Sequence, residues 1–183
     1  MPHQLTTQRL LLRPWRDADR DPFRRMNADP RVMEFFPAPL DASESDALME
    51  RARKHFDDRG FGPFAAELIE EEVFIGFIGL FVPSFTAHFT PAVEIGWRLA
   101  SPYWGRGLAT EGARAVVDYA FGTLHLPAIV SFTVPGNLPS RRVMEHIGMT
   151  HHAADDFDHP NIAEGHPLRR HVLYRLQNPK LIP

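Results

Sequence analysis

The chain has 183 residues, 44% hydrophobic and 23% charged, with a formal net charge of −3. That is enough for one domain with its own core, and too little positive charge for a nucleic-acid-binding face. No cysteine is present, which excludes a disulfide framework, a zinc–thiolate site and a cysteine nucleophile.

In chain order, TTQRLLLRPW reads as a first strand ended by Pro14. DADRDPFRRMNADPRV is helical with interruptions, and Pro30 closes it. Asp41 to Arg59 starts on a capping residue and repeats Ala47, Leu48, Ala52 and Phe56 at helical spacing before Gly60 and Gly62 break it. PFAAELIE and VFIGFIGLFV read as two strands joined by the acidic turn Glu70–Glu72, the second apolar on both faces and therefore central. PSFTAHFTP is a loop and AVEIGWRLA a fourth strand. A glycine loop and a long helix follow, then the strand PAIVSFTV, the short helix NLPSRRVMEHIG and a closing strand HVLYRL. The order predicts a mixed α/β fold around one sheet, a single domain over 1–183, with a βαβ unit from about residue 92 to 134. No apolar segment of signal-peptide length opens the chain and no run is long enough for a bilayer, so a cytoplasmic protein without a membrane partner is expected.

The stretch most informative about function is SPYWGRGLATEGARAVVDYAFGTL, residues 101–124. Ala109, Ala113, Val116, Ala120 and Leu124 form an apolar stripe, and Glu111, Arg114 and Asp118 lie opposite, where they can pair with one another. Gly105 and Gly107 stand at the mouth of this helix, where unpaired N–H groups and the positive dipole end suit a phosphate. Two glycines can also simply make a turn. A P-loop is excluded because no Gly-Lys-Ser/Thr follows. A dinucleotide fingerprint fits poorly, since the third glycine and the acidic ribose partner are both missing.

VEIGWRLASPYWGRGLATEGARAVVDYAF followed by VPGNLPSRRVMEHIGM closely resembles the RimJ/RimL-like branch of the GNAT superfamily of acetyl-CoA-dependent N-acetyltransferases. The opening TTQRLLLRPW and the closing HVLYRL resemble it too. The resemblance implies a largely antiparallel twisted sheet with helices on both faces, and acetyl-CoA as donor. It implies that the backbone of Trp104, Gly105, Arg106, Gly107, Leu108, Ala109 and Thr110 cradles the pyrophosphate. Backbone groups of Gly96, Trp97, Arg98 and Leu99 would hold the pantetheine arm like an added strand, with Asn137 and Ser140 beside it. Arg141 and Arg142 read either as neighbours of the phosphates or, as such pairs more often do, as a solvated face. Many superfamily members carry a tyrosine general acid in the last helix; this chain has Met144 there.

Acetyl transfer to an amine requires a neutral nucleophile, a stabilised oxyanion and a thiolate that can leave. Alternation in AVEIGWRLA puts Glu94, Gly96 and Arg98 on one face, away from Val93, Ile95, Trp97 and Leu99. Glu94 is the candidate general base, the alternative being a structural glutamate paired with Arg98. Ser140 is the candidate donor to the thiolate, the alternative an ordinary first-turn serine; Asn137 also reads as a helix cap. The histidines at 146, 151, 152, 159, 166 and 171 match no metal-ligand spacing, so no metal is expected, although His151 or His152 stays an alternative base. No G-x-S-x-G elbow is present.

The acceptor is expected to be a small-molecule or protein N-terminal amine, on a monomer or homodimer. The competing readings are a non-catalytic acyl-CoA-binding or sensing module of the same fold and a nucleotide-dependent oxidoreductase. Candidate acceptor walls are residues 33–40, the loop 84–90 and DDFDHPNIAEGH, with Phe35, Phe36, Phe85 and Phe89 as apolar contributors or as core. Asp155, Asp156, Asp158 and Glu164 would either make an acidic rim favouring cationic acceptors or merely keep a loop solvated.

Overall fold

The computed structural model describes residues 4–181. The segment expected as one opening strand is a tight hairpin, β1 Leu5–Thr6 and β2 Leu10–Arg13. Thr7 causes the fold-back: its N–H donates to the Leu10 carbonyl at 2.9 Å and its hydroxyl accepts from the Leu10 N–H at 2.9 Å. A single 3₁₀ turn at Asp17–Asp19 leads into α1, Arg20–Ala28. The helix ends just before Pro30, as expected, because Asp29 is extended at ψ 115° and the proline ring disfavours helical geometry in the residue before it. α2, Ala42–Arg59, begins on a reciprocal cap between Asp41 and Glu44 and ends on Gly60 at φ 75°.

The sheet also comprises β3 Pro63–Leu68, β4 Val73–Phe81, β5 Glu94–Leu99, β6 Ala128–Thr133, β7 Thr150–His151 and β9 Arg170–Gln177, with β8 Phe157–Asp158 pairing β9 off the main path. Its order is β1-β2-β3-β4-β5-β6-β9-β7. β4 is central, as its two-sided apolar character requires. Every adjacent pair is antiparallel except β5–β6, the two strands joined through α3 Leu108–Gly122. A short helix α4, Leu138–His146, follows β6.

The two faces of the sheet have separate cores. Ile78, Ile95 and Leu99 pack with Leu108, Ala113, Val116 and Met144 of α3 and α4. Gly112 lets α3 come this close, since a methyl group there would overlap the Ile78 side chain. Opposite, Phe77 packs with Trp15, Phe23, Met26 and Met49 of the α1–α2 side. A third cluster of Phe89, Val130, Phe157 and Leu173, with Phe85 and Phe132 against it, fills the β9 end. Among the described residues no helix is long and apolar enough to cross a membrane.

Candidate active site

β5 pairs with β4 along its whole length, but with β6 only at Glu94↔Val130, where the Val130 N–H donates to the Val93 carbonyl at 2.9 Å. β6 spends its other edge on β9 through six registered pairs. From Gly96 to Leu99, therefore, one edge of β5 has no neighbouring strand and its peptide groups face the gap leading to α4. A backbone edge of this kind is a template for an extended ligand. The Leu99 carbonyl is already engaged, accepting from the Trp104 indole at 2.7 Å, which fixes that exposed ring at the entrance.

The loop after β5 reaches α3 through Gly105 at φ 72° and Gly107 at φ 76°, left-handed conformations that favour glycine. Gly107 is the N-terminal cap and supplies no side chain to the first-turn N–H groups. A methyl group on Gly105 would meet nothing within 4 Å, so the space before the helix is open. Arg9 braces this loop from the hairpin: it donates to the Arg106 carbonyl at 2.9 Å and pairs with Glu111 at 2.6 Å. Glu111 also accepts from the Thr7 hydroxyl at 2.6 Å and the Arg9 N–H at 2.8 Å. It thus pins the hairpin rather than pairing with Arg114, which donates to the His146 carbonyl instead.

Glu94, Gly96 and Arg98 share the sheet face that looks towards α1 and α2, beside Phe81 and Phe77 of β4. The Glu94 carboxyl lies over Gly96, where an added methyl would come within 3.7 Å of its Oε1. Glu94 makes no ion pair with Arg98, and burial pushes its pKa up to about 8. Arg98 donates to Asn27 Oδ1 at 2.7 Å and stacks 4.1 Å from the Phe36 ring centre. Phe35 reaches across towards Gly136, at 4.0 Å from a methyl built there. The 33–40 segment thus covers the mouth of the gap on its β5 and α4 sides.

At α4, Asn137 caps the helix, accepting from the Ser140 N–H at 3.3 Å, and its amide donates to the Thr133 hydroxyl at 3.0 Å. The Ser140 hydroxyl has no hydrogen-bond partner among the described residues. Arg141 is committed elsewhere, to the Tyr174 hydroxyl at 3.2 Å and the Pro135 carbonyl at 3.0 Å, so its side chain braces α4. Met144 is buried in the α3–α4 core, as a thioether suits and a proton donor would not.

Three of the four acids of the acidic segment have partners within the chain. Asp155 pairs with Arg175 at 2.8 Å, Asp156 with His151 at 2.7 Å, and Asp158 with Arg170 at 3.3 Å. His151 is occupied by this pair and by stacking on Tyr174. His159 and His171 lie among Phe85, Phe132 and Phe157, where burial lowers both their pKa values. Phe89 is core and the half-buried Phe85 packs against it, while Phe35 lies beside Gly136 and Phe36 over Arg98. Among the described residues no group of three or more histidine, aspartate or glutamate side chains could hold a metal ion.

A family model described as an acetyltransferase (GNAT) domain matches residues 9–150. The chain belongs to the GNAT acetyltransferases. It is similar to the uncharacterized N-acetyltransferase YnaD of Bacillus subtilis (strain 168), 34% identical over 149 residues covering 79% of this chain and 81% of that one. The crystal structure of an acetyltransferase from Agrobacterium tumefaciens is 32% identical, covers 96% of this chain and 94% of its own, and superimposes with a TM-score of 0.76. The fold is also that of Mycobacterium smegmatis RimJ, solved with CoA-disulfide, at 21% identity, TM-score 0.77 and coverage of 100% and 90%.

Three features of this N-acetyltransferase escape sequence reasoning. The Arg9 brace and the Asn27–Arg98 bond join residues 97 and 71 positions apart. The buried cluster of Arg13 with Asp19 and Glu67 is the third.

Proposed function

We propose that this acetyltransferase moves the acetyl group of acetyl-CoA directly to a primary amine, with Glu94 as general base. The observation that carries the reading is a half-buried carboxyl with no hydrogen-bond or ionic partner among the described residues, held over Gly96 beside the unpaired edge of β5. Burial places its pKa near that of an α-amine, about 8, where a base accepts a proton efficiently at neutral pH. This observation favours catalysis over a binding-only module, which has no need of an unpaired, half-buried acid.

In this reading the first-turn N–H groups of α3 and the backbone from Trp104 to Thr110 hold the pyrophosphate. The open edge of Gly96, Trp97 and Arg98 hydrogen-bonds the pantetheine, and Asn137 acts through the helix start that it caps. The amine nitrogen bonds to the acetyl carbon, its proton passes to Glu94, and the carbon–sulfur bond breaks. The free Ser140 hydroxyl is the group placed to donate to the departing thiolate. One sheet running from Leu5 to Gln177 supports treating the chain as a single acetyltransferase domain. The test is release of the CoA thiol from acetyl-CoA across a panel of amines. Amine-dependent release is expected, and its absence with every amine, despite measurable acetyl-CoA binding, would leave only the binding module.

A further inference from the structure

We infer that the acceptor is a small molecule carrying a carboxylate as well as its amine, and that the Arg98 guanidinium is the group that reads the carboxylate. The inference rests on the proposed amine acetylation and names its substrate class.

Arg98 projects from β5 into the α1–α2 side of the sheet, with the Phe36 ring centre at 4.1 Å and that of Phe77 at 5.6 Å. Its one hydrogen bond runs to Asn27 Oδ1, a neutral acceptor at 2.7 Å, and Asn27 is itself fully buried and fixed by a 2.9 Å bond to the Ser45 hydroxyl. The guanidinium is therefore held in place without being neutralised. Its Nε is buried and has no partner, and no carboxylate pairs with it among the described residues. Burial lowers its pKa only to about 10, so it is a cation at neutral pH. The fully enclosed arginine of the scaffold, Arg13, is matched with acids, Asp19 and Glu67. Arg98, whose Nε is buried as well, departs from that pattern beside the site proposed for the acceptor.

The donor does not supply the missing anion. Phosphates held at the start of α3 lie with the Ile95–Leu99 side of the strand, whereas Arg98 belongs to the opposite face. On its own face stands the other unpaired titratable group, Glu94. The two stand four steps apart along the strand, about 13 Å between α-carbons, and the small Gly96 lies between. A proton acceptor at one end and a cation at the other, neither paired with its neighbour, complement a molecule with an amine and a carboxylate a few bonds apart. The planar fork of arginine is the side chain best suited to a carboxylate. Phe36 over Arg98 and Phe35 beside Gly136 narrow the mouth, which favours a small acceptor over a folded protein's terminus.

The test uses the full chain saturated with CoA or acetyl-CoA and matched pairs of free α- or ω-amino acids and their carboxamides, with a peptide bearing an acidic second residue as a further arm. Calorimetry on the CoA complex measures binding, and thiol release measures transfer. The free acids should bind, and react in kcat/KM, at least tenfold better than their amides. In Arg98→Met that acid-to-amide ratio should collapse towards one, and Arg98→Lys, which keeps the charge but loses the fork, should fall between. Equal use of acids and amides by the wild type overturns the inference, as does a ratio retained in Arg98→Met; preference for the peptide over every small acid overturns the small-molecule assignment. Arg98-dependent binding of the acids without thiol release would instead reject the proposed transfer and leave the carboxylate site standing.

Discussion

Arg13 and Arg98 are both inward-facing arginines on strands of the same sheet, and the protein treats them in opposite ways. Arg13 meets Asp19 at 2.8 Å and Glu67 at 2.6 Å, and these acids hold its pKa above the usual value against the desolvation that would lower it. Arg98 has no acid, and burial alone sets its pKa below the usual value. The carboxylates repeat the contrast: Asp19 is enclosed by donors, while Glu94 has none. A buried charge costs stability unless it is paired, so an unpaired one persists where something other than folding retains it. Arg13 and Asp19, paired, belong to the scaffold of this protein, and Arg98 and Glu94, unpaired, lie at the site proposed for it.

The largest expected effect comes from removing the unpaired acid. Glu94→Gln should lower turnover by about 10²–10⁴-fold, the usual worth of a general base. Wild-type turnover should rise with pH through about 8 as Glu94 ionises, and the variant should lose that rise. Stability should move the other way. The folded-state pKa is raised from an ordinary value near 4.5, so between that pH and about 8 the folded protein binds a proton that the unfolded chain has released. Wild-type stability therefore falls as pH climbs through this window, and Glu94→Gln should remove that part of the fall. Denaturant titrations of the apoprotein at pH 5 and pH 8 measure it. Turnover within threefold of wild type at saturating acceptor would mean that the proton goes elsewhere.

The paired cluster should give the converse result. Asp19→Ala leaves Arg13 with Glu67 alone and removes the acceptor of the Arg16 N–H, held at 2.7 Å. Breaking a buried pair from one side costs about 3–5 kcal/mol. Urea unfolding should show a loss of that size, with kcat per folded molecule unchanged. A fall in kcat without a shift in midpoint would erase the distinction between scaffold and site.

Much of this contrast can be read in the sequence, but not its decisive half. The apolar run 73–81 announces a central strand, the spacing after Gly107 announces α3, and simple alternation puts Glu94 and Arg98 on one face. Whether those charges are paired depends on remote residues: Glu67 lies 54 positions from Arg13, and Asn27 lies 71 from Arg98. Charged residues such as Asp19 look solvated until the fold closes on them. The opening hairpin was hidden for another reason, because nothing in the leucine pattern reveals that the Thr7 hydroxyl turns the chain back.

A third, uncharged device is expected at the pyrophosphate. Gly107→Val puts a branched side chain on a left-handed residue at φ 76° and on the backbone that faces the phosphate. Calorimetry should show acetyl-CoA affinity reduced tenfold or more, roughly 1.4 kcal/mol. Arg106→Ala should cost less, since that exposed side chain lies 3.9 Å from Glu71 while its carbonyl is what Arg9 holds. If the ranking reverses, charge rather than peptide N–H groups binds the donor.

The smallest effect on catalysis is expected where sequence alone suggested electrostatic steering. Asp155, Asp156 and Asp158 form an acidic run in the chain, but in the fold each has its own partner, Arg175, His151 and Arg170, so less field remains to gather a positively charged acceptor. Replacing all three by asparagine should leave kcat/KM for a cationic amine within about twofold, and its dependence on ionic strength unchanged. The variant should still lose some stability. The hydrogen bonds of Arg175 and His151 hold the 153–158 segment against β9, and Asp155 has its pKa lowered mainly by Arg175, so its contribution is present at neutral pH and fades as pH falls through that lowered value. A triple variant that instead loses the salt dependence of a cationic acceptor would put paired charges to work in substrate capture. It would then be pairing in the acceptor-bound state, not in the free protein, that separates scaffold from site.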